Sequence, residues 1–177
     1  MNRSHCALFA MGLMLCPQIN ASAYNLEFTG TIVAQTCDID ISSLSQSIDL
    51  GQFAVGDFPS TGTTTKFKPF NINLKNCSRG IAGAKIWFTG EPDPDNPALL
   101  AITDTGMGSG NMLASGVGVE ILNDDQDTVS INNADSVVYP LKAGRNTLSF
   151  YIRYKSTRPT VTSGNATAVM YFDMQYE

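Results

Sequence analysis

The residues of this 177-residue chain that could most readily do chemistry are its paired acids. Asp93 and Asp95 stand two apart, and Asp124, Asp125 and Asp127 crowd one short stretch. Paired carboxylates can divide general-acid and general-base work, and a run of acids can cage a calcium ion. The surroundings support neither use. Asp93 and Asp95 lie in Glu91-Pro92-Asp93-Pro94-Asp95-Asn96-Pro97, a proline-laden loop that no strand interior would tolerate. The acids after Asn123 lack the glycine and distal glutamate of an EF-hand and fit a solvated hairpin turn. Gly106-Met107-Gly108-Ser109-Gly110 precedes no recognisable helix, so a flexible loop fits it better than a phosphate cradle. Trp87, the only tryptophan, could stack on a sugar, but its place inside an alternating strand favours the core.

The N-terminal end of the chain narrows the chemistry further. Met1 to His5 carries Arg3 and no acid, Cys6 to Leu15 is almost wholly apolar, and Ala21-Ser22-Ala23 offers a small-residue cleavage site. Residues 1–23 are therefore expected to be a signal peptide, cut after Ala23 in preference to Ala21. The apolar run is too short for a permanent membrane helix, and nothing later replaces it, so an integral membrane protein is not expected. Leu13-Met14-Leu15-Cys16 faintly resembles a lipoprotein box, but the bulky Leu15 before the cysteine argues against lipidation. Cleavage removes the one histidine, His5, and with it the commonest general base and metal ligand. It also removes Cys6 and Cys16. The remaining pair, Cys37 and Cys77, is expected to form a disulfide in an exported chain. The formal net charge of −5 becomes −6 without Arg3, and no basic cluster points to nucleic acid. No catalytic residue, metal site or cofactor is expected.

The elements that position these residues are strands. Leu26, Phe28, Ile32 and Ala34 alternate with polar residues from Tyr24 onward, a period of two that marks a half-buried strand, and Gly30 in its middle suggests a close approach by another backbone or side chain. After cleavage this strand becomes the free N-terminus, suited to burial in a neighbouring molecule. Asp38 to Ile41 is a short alternating piece, Ser42 to Ser47 a turn, and Ser47 to Gly51 another strand candidate; Phe53 to Lys66 is a long connection. Phe67 to Lys75 alternates with Phe70, Ile72 and Leu74 on one face, and leads to Cys77. Further strands are expected at Ala84 to Gly90, Gly116 to Leu122 and Thr147 to Lys155, the last with Leu148, Phe150, Ile152 and Tyr154 on one face. Ala166, Ala168, Met170, Phe172, Met174 and Tyr176 then alternate without a break. No amphipathic helix is evident after the leader. Eight or so short strands joined by Gly- and Pro-rich connections predict an all-β sandwich in one domain.

Seven pieces in this order resemble the type 1 fimbrial (chaperone–usher pilus) subunit family. They are Gly30 seven residues before Cys37; Ile48-Asp49-Leu50-Gly51; Phe70-Asn71-Ile72-Asn73-Leu74-Lys75-Asn76-Cys77; Phe88-Thr89-Gly90; Gly116-Val117-Gly118-Val119-Glu120-Ile121; Gly144 before Leu148-Ser149-Phe150; and Gly164 twelve residues before Tyr176. The resemblance implies an incomplete immunoglobulin-like β-sandwich lacking its last strand, completed by a donor strand from a chaperone or a neighbouring subunit. It implies a structural pilus subunit that polymerises by donor-strand exchange and contributes to cell adhesion. Its partners would be a periplasmic pilus chaperone, an outer-membrane usher and neighbouring pilus subunits, and its destination the cell-surface fimbrium, reached through the periplasm. Residues 24–36 would form the donor extension and run into the first body strand, and 37–177 the pilin domain. Leu26, Phe28 and Ile32 would fill pockets, with Gly30 where the acceptor rises closest. Ala166, Ala168, Met170, Phe172, Met174 and Tyr176 would form a groove wall and chaperone contact, with Glu177 as anchor for basic chaperone residues. The alternative function is a secreted carbohydrate-binding or tip-associated adhesive module.

Overall fold

Alternating apolar residues dictate the strands. The computed structural model describes residues 36–104, 112–133 and 138–177, all within one compact unit, Val33–Glu177. The strands are β1 (Asp38–Ile39), β2 (Lys68–Cys77), β3 (Gly83–Gly90), β4 (Val117–Leu122), β5 (Val138–Pro140), β6 (Gly144–Ser156) and β7 (Met170–Tyr176). Among the described residues two sheets form, ordered β1-β2-β6-β4 and β5-β3-β7, with every ladder between these strands antiparallel. Among the described residues the molecule is an incomplete immunoglobulin-like sandwich, with β7 as an outer strand of the three-stranded sheet.

The inward residues of each strand make one core between the sheets. Phe70 and Phe150, opposite each other on β2 and β6, stack at 5.4 Å between ring centroids, and Phe88 of β3 meets both edge-on at 5.9 and 5.0 Å. Ile72, Leu74, Ile86, Val119, Ile121 and Leu148 complete the layer. Edge-to-face rings add about 0.5–1.5 kcal/mol per pair to the burial itself, so this triad helps tie the two sheets together.

The body is bonded shut at one end. Register between β2 and β6 shifts between Leu74 and Cys77, and Asn76 takes φ 53°, a left-handed conformation that asparagine tolerates. Asn76 donates to the Asp38 carboxylate at 2.8 Å, and Cys77 bonds to Cys37 across a separation of 40 residues.

Several sequence expectations need correction. Ile41–Leu44 is a single helical turn, with Asp40 accepting from the Ser42 amide as its N-cap, so the alternating piece pairs only at Asp38 and Ile39. Ser47–Gly51 forms no strand. Asp49 instead bonds the Gly51 amide at 2.9 Å, Gly51 turns at φ 96°, and the segment faces β7 across open space without a ladder partner. Trp87 is not in the core. It shares parity with Lys85 and Thr89, and lies half-buried on the outer face while Ala84, Ile86 and Phe88 point inward. The final strand begins at Met170, not Ala166, because the chain before it bridges instead to residues 113–115.

The acids serve structure. Asp93 is buried and accepts from the Asp95 and Asn96 amides at 3.0 Å each, while Asp95 pairs with Arg158 at 2.6 Å. Asn123 and Asp127 close a hairpin turn after β4. Near it, Tyr139 of β5 packs edge-on against Phe150. Burial, helped by the charges of Asp124 and Asp125, pushes its phenol from 10.0 up to about 12. The unfolded chain then loses this proton more easily than the folded one. The contribution is therefore complete below pH 10.0 and lost as pH rises through about 12. Tyr139→Phe should show a shallower alkaline decline in denaturant midpoint across that window than the parent protein. An equally steep decline would show that Tyr139 is not responsible.

Candidate functional site: an open groove along the last strand

β3 pairs with one edge of β7, and among the described residues no strand pairs with the other. A groove of about 980 Å³ runs along that free edge. One wall is Ala166, Ala168, Met170 and Phe172; the other is the segment from Ser43 to Phe58, with Ile48, Leu50, Phe53 and Val55. Phe70, Leu100, Val117, Val119, Ile152, Tyr154 and Val161 lie along it as well. These are core residues, so the groove opens into the sandwich interior. A second hollow of about 610 Å³ continues it past Leu44 and Phe172, and is lined by Cys37, Ile39, Met174 and Tyr176. Leu44, where the two hollows meet, is left bare at 62% of full exposure.

Local bonds hold both walls in place. The Tyr154 hydroxyl donates to the Ala166 carbonyl, and the Tyr176 hydroxyl donates to that of Cys37 at 3.0 Å. Burial raises both phenols above their ordinary range, so they stay protonated donors at neutral pH. Phe53 meets Phe58 and Tyr154 edge-on, at 6.4 and 5.9 Å. Gly164 allows the chain before β7 to press against residues 112–114. A Cβ there would stand 2.4 Å from the Met112 carbonyl oxygen and the Ala114 amide nitrogen.

The acceptor residues inferred from the sequence thus fall along one line. Ala166, Ala168, Met170 and Phe172 border the larger hollow, and Met174 and Tyr176 the smaller. Glu177 lies beyond the strand. Its main-chain oxygen accepts from the amides of Ala82 and Gly83, and its side chain sits 3.4 Å from Lys85. Leu26, Phe28, Gly30 and Ile32 lie outside the described residues. What the sequence reading missed is the facing wall, whose Phe53, Val55 and Phe58 are spaced without strand or helix period. Their one signal is apolarity within an otherwise Gly-, Ser- and Thr-rich connection.

A second unforeseen cluster lies on β4 and β6. Glu120 is fully buried, receives hydrogen bonds from Arg153 and Lys155 at 2.6 Å each, and takes a third from Thr128 at 2.8 Å. Desolvation pushes its pKa up, but the bonds from Lys155, Arg153 and Thr128 outweigh it, and the carboxyl titrates below its ordinary range.

A sandwich one strand short, with its core bare beside an unpaired edge, is a module suited to taking a strand from another polypeptide. Residues 26–177 match the family described as fimbrial protein. The chain is 43% identical over 154 residues to the fimbrial-like protein YcbU of Escherichia coli K12, covering 86% of this chain and 84% of that one. It is 35% identical to the fimbrial subunit type 1 of Salmonella typhimurium, covering 86% and 82%. A subunit from a solved chaperone–usher pilus superposes with a TM-score of 0.66 at 25% identity, over 92% of this chain and all of that one. The chain belongs to the fimbrial protein family and is a structural pilus subunit.

Proposed function

We propose that this subunit polymerises by donor-strand exchange: a neighbour's N-terminal extension lies in the groove beside β7, and residues 24–36 of this chain do the same in the next subunit. The observation that carries the reading is the free edge of β7 beside bare core side chains. An added strand would bond to that edge whatever its sequence, while alternate side chains entering the hollows would select the partner. Leu26, Phe28 and Ile32 supply three apolar side chains at such spacing, worth roughly 5–9 kcal/mol at 1.5–3 each before the ordering cost of the tail. Gly30 supplies the small position among them.

The same groove explains the need for a chaperone. A bare edge over an open core invites aggregation, so a periplasmic chaperone strand covers it first, along Ala166 to Tyr176 with Glu177 at the end. Residues 1–23 direct export, cleavage follows Ala23, and an outer-membrane usher delivers the subunit to the surface fimbrium, where it contributes to adhesion. The role is structural and requires no catalysis.

Deleting Tyr24 to Gly30 tests the donor assignment. The shortened subunit should still bind a peptide copying residues 24–36, yet form no polymer longer than the partner it accepts, as read by electrophoresis without heating. Normal polymerisation of the deleted form would sink the assignment.

A further inference from the structure

We propose that Met170 and Met174 make the unfilled groove a modification site, at which a hydroperoxide converts the thioethers to sulfoxides and blocks entry of a strand. This rests on the strand-accepting reading of the groove. Residues 170, 172 and 174 are successive groove-side positions of β7, and two of the three are methionine. Met170 borders the larger hollow and Met174 the smaller, each half-buried and packed on the core. A thioether lining an open cleft can be reached by a small oxidant, whereas the same sulfur under an inserted strand is shielded. Groove occupancy and susceptibility are therefore coupled.

Chemistry makes the change consequential. A sulfur lone pair attacks one peroxide oxygen, the O–O bond breaks, sulfur is oxidised by two electrons, and the peroxide leaves as water or an alcohol. A flexible apolar side chain becomes a polar one. Across the sheet, Met174 faces Ile86, flanked by buried Phe88 and Ala84. Of the three tyrosines along the hollows, Tyr154 and Tyr176 already donate, to the carbonyls of Ala166 and Cys37, and Tyr171 stands on the exposed, outward parity of β7. A sulfoxide oxygen covered by a donor strand would therefore gain no tyrosine hydroxyl as partner. Stripping water from this polar group under an inserted strand should weaken strand binding about tenfold per sulfoxide, corresponding to roughly 1.4 kcal/mol.

The test treats the subunit with hydrogen peroxide, either empty or filled with a peptide copying residues 24–36. Peptide mass mapping reads each sulfoxide, and titration with fresh peptide reads affinity. Met112, at 83% exposure, serves as the internal control and should oxidise in both states. Met170 and Met174 should oxidise quickly only in the empty subunit, which should then bind peptide about 100-fold more weakly if the two effects add. Met170→Leu with Met174→Leu is nearly volume-conserving, and should bind peptide before and after peroxide alike. Undiminished affinity after both methionines are converted, equal loss in the leucine variant, or equal oxidation in filled and empty grooves would overturn the proposal. Failure of the untreated subunit to bind peptide would overturn the groove reading itself, and this proposal with it.

Discussion

Replacing Arg153 and Lys155 together by methionine is expected to destabilise the peptide-filled subunit by about 3–5 kcal/mol at neutral pH, the range for stranding one partner of a buried ion pair. The asymmetry of the cluster makes this larger than the effect of removing the acid. Glu120 has a fully buried side chain, whereas those of Arg153 and Lys155 keep 23% and 28% of their surface in water. With Glu120→Gln, both cations can turn to solvent, and the loss should be about 1–3 kcal/mol. Without the cations, the carboxylate remains in the sheet with Thr128 alone. The two variants should also differ in pH response. In the parent, Glu120 titrates below 4.5, so its contribution is present above that pH and lost as pH falls through the folded value. In the double variant, desolvation acts without the cations and raises the folded pKa above the unfolded one. The sign then reverses, and acid should restore stability relative to the parent. Urea midpoints at neutral and mildly acidic pH decide it; a double variant that loses no more than Glu120→Gln would refute the asymmetry.

Converting both Cys37 and Cys77 to alanine should cost about 4 kcal/mol, the chain-entropy value for a loop of this length. The bond joins the residue before β1 to the end of β2, beside the smaller hollow. Cys37 also offers its carbonyl to Tyr176 of β7, across that hollow. Loss of the disulfide should therefore weaken peptide binding as well as stability. Thermal melts with saturating peptide, together with peptide titration, separate the two effects. A variant that melts as the parent does would mean that β1 is held by its ladder to β2 alone.

The strands were legible because burial on one face writes a period of two. Phe70, Ile72 and Leu74, then Leu148, Phe150, Ile152 and Tyr154, could be assigned inward on spacing alone, and all are buried. Trp87 was misread because Ile86, Trp87 and Phe88 are all apolar, which blurs parity within three residues. Lys85 and Thr89 carry the missing information, since they share its face. Ser47 to Gly51 looked like a strand because Ile48 and Leu50 do pack on the core. Alternation reports burial, though, and cannot report whether a ladder partner exists. The groove wall from Ser43 to Phe58 was illegible for a related reason: its apolar residues serve an occupant that the chain does not itself place beside them. Glu120 stood in plain view among Val119 and Ile121. Only the register that sets it against Arg153 shows why a charge can be buried there.

The outward setting of Trp87 has a practical consequence. It is the sole tryptophan, and in the β3–β7 ladder it stands opposite Asp173, on the strand that borders the groove but on the face turned away from it. A strand added at that edge would be separated from the ring by β7, and should order the backbone on which its neighbour Asp173 rides. Its fluorescence should therefore respond to occupancy, a label-free readout of how firmly the edge strand is held.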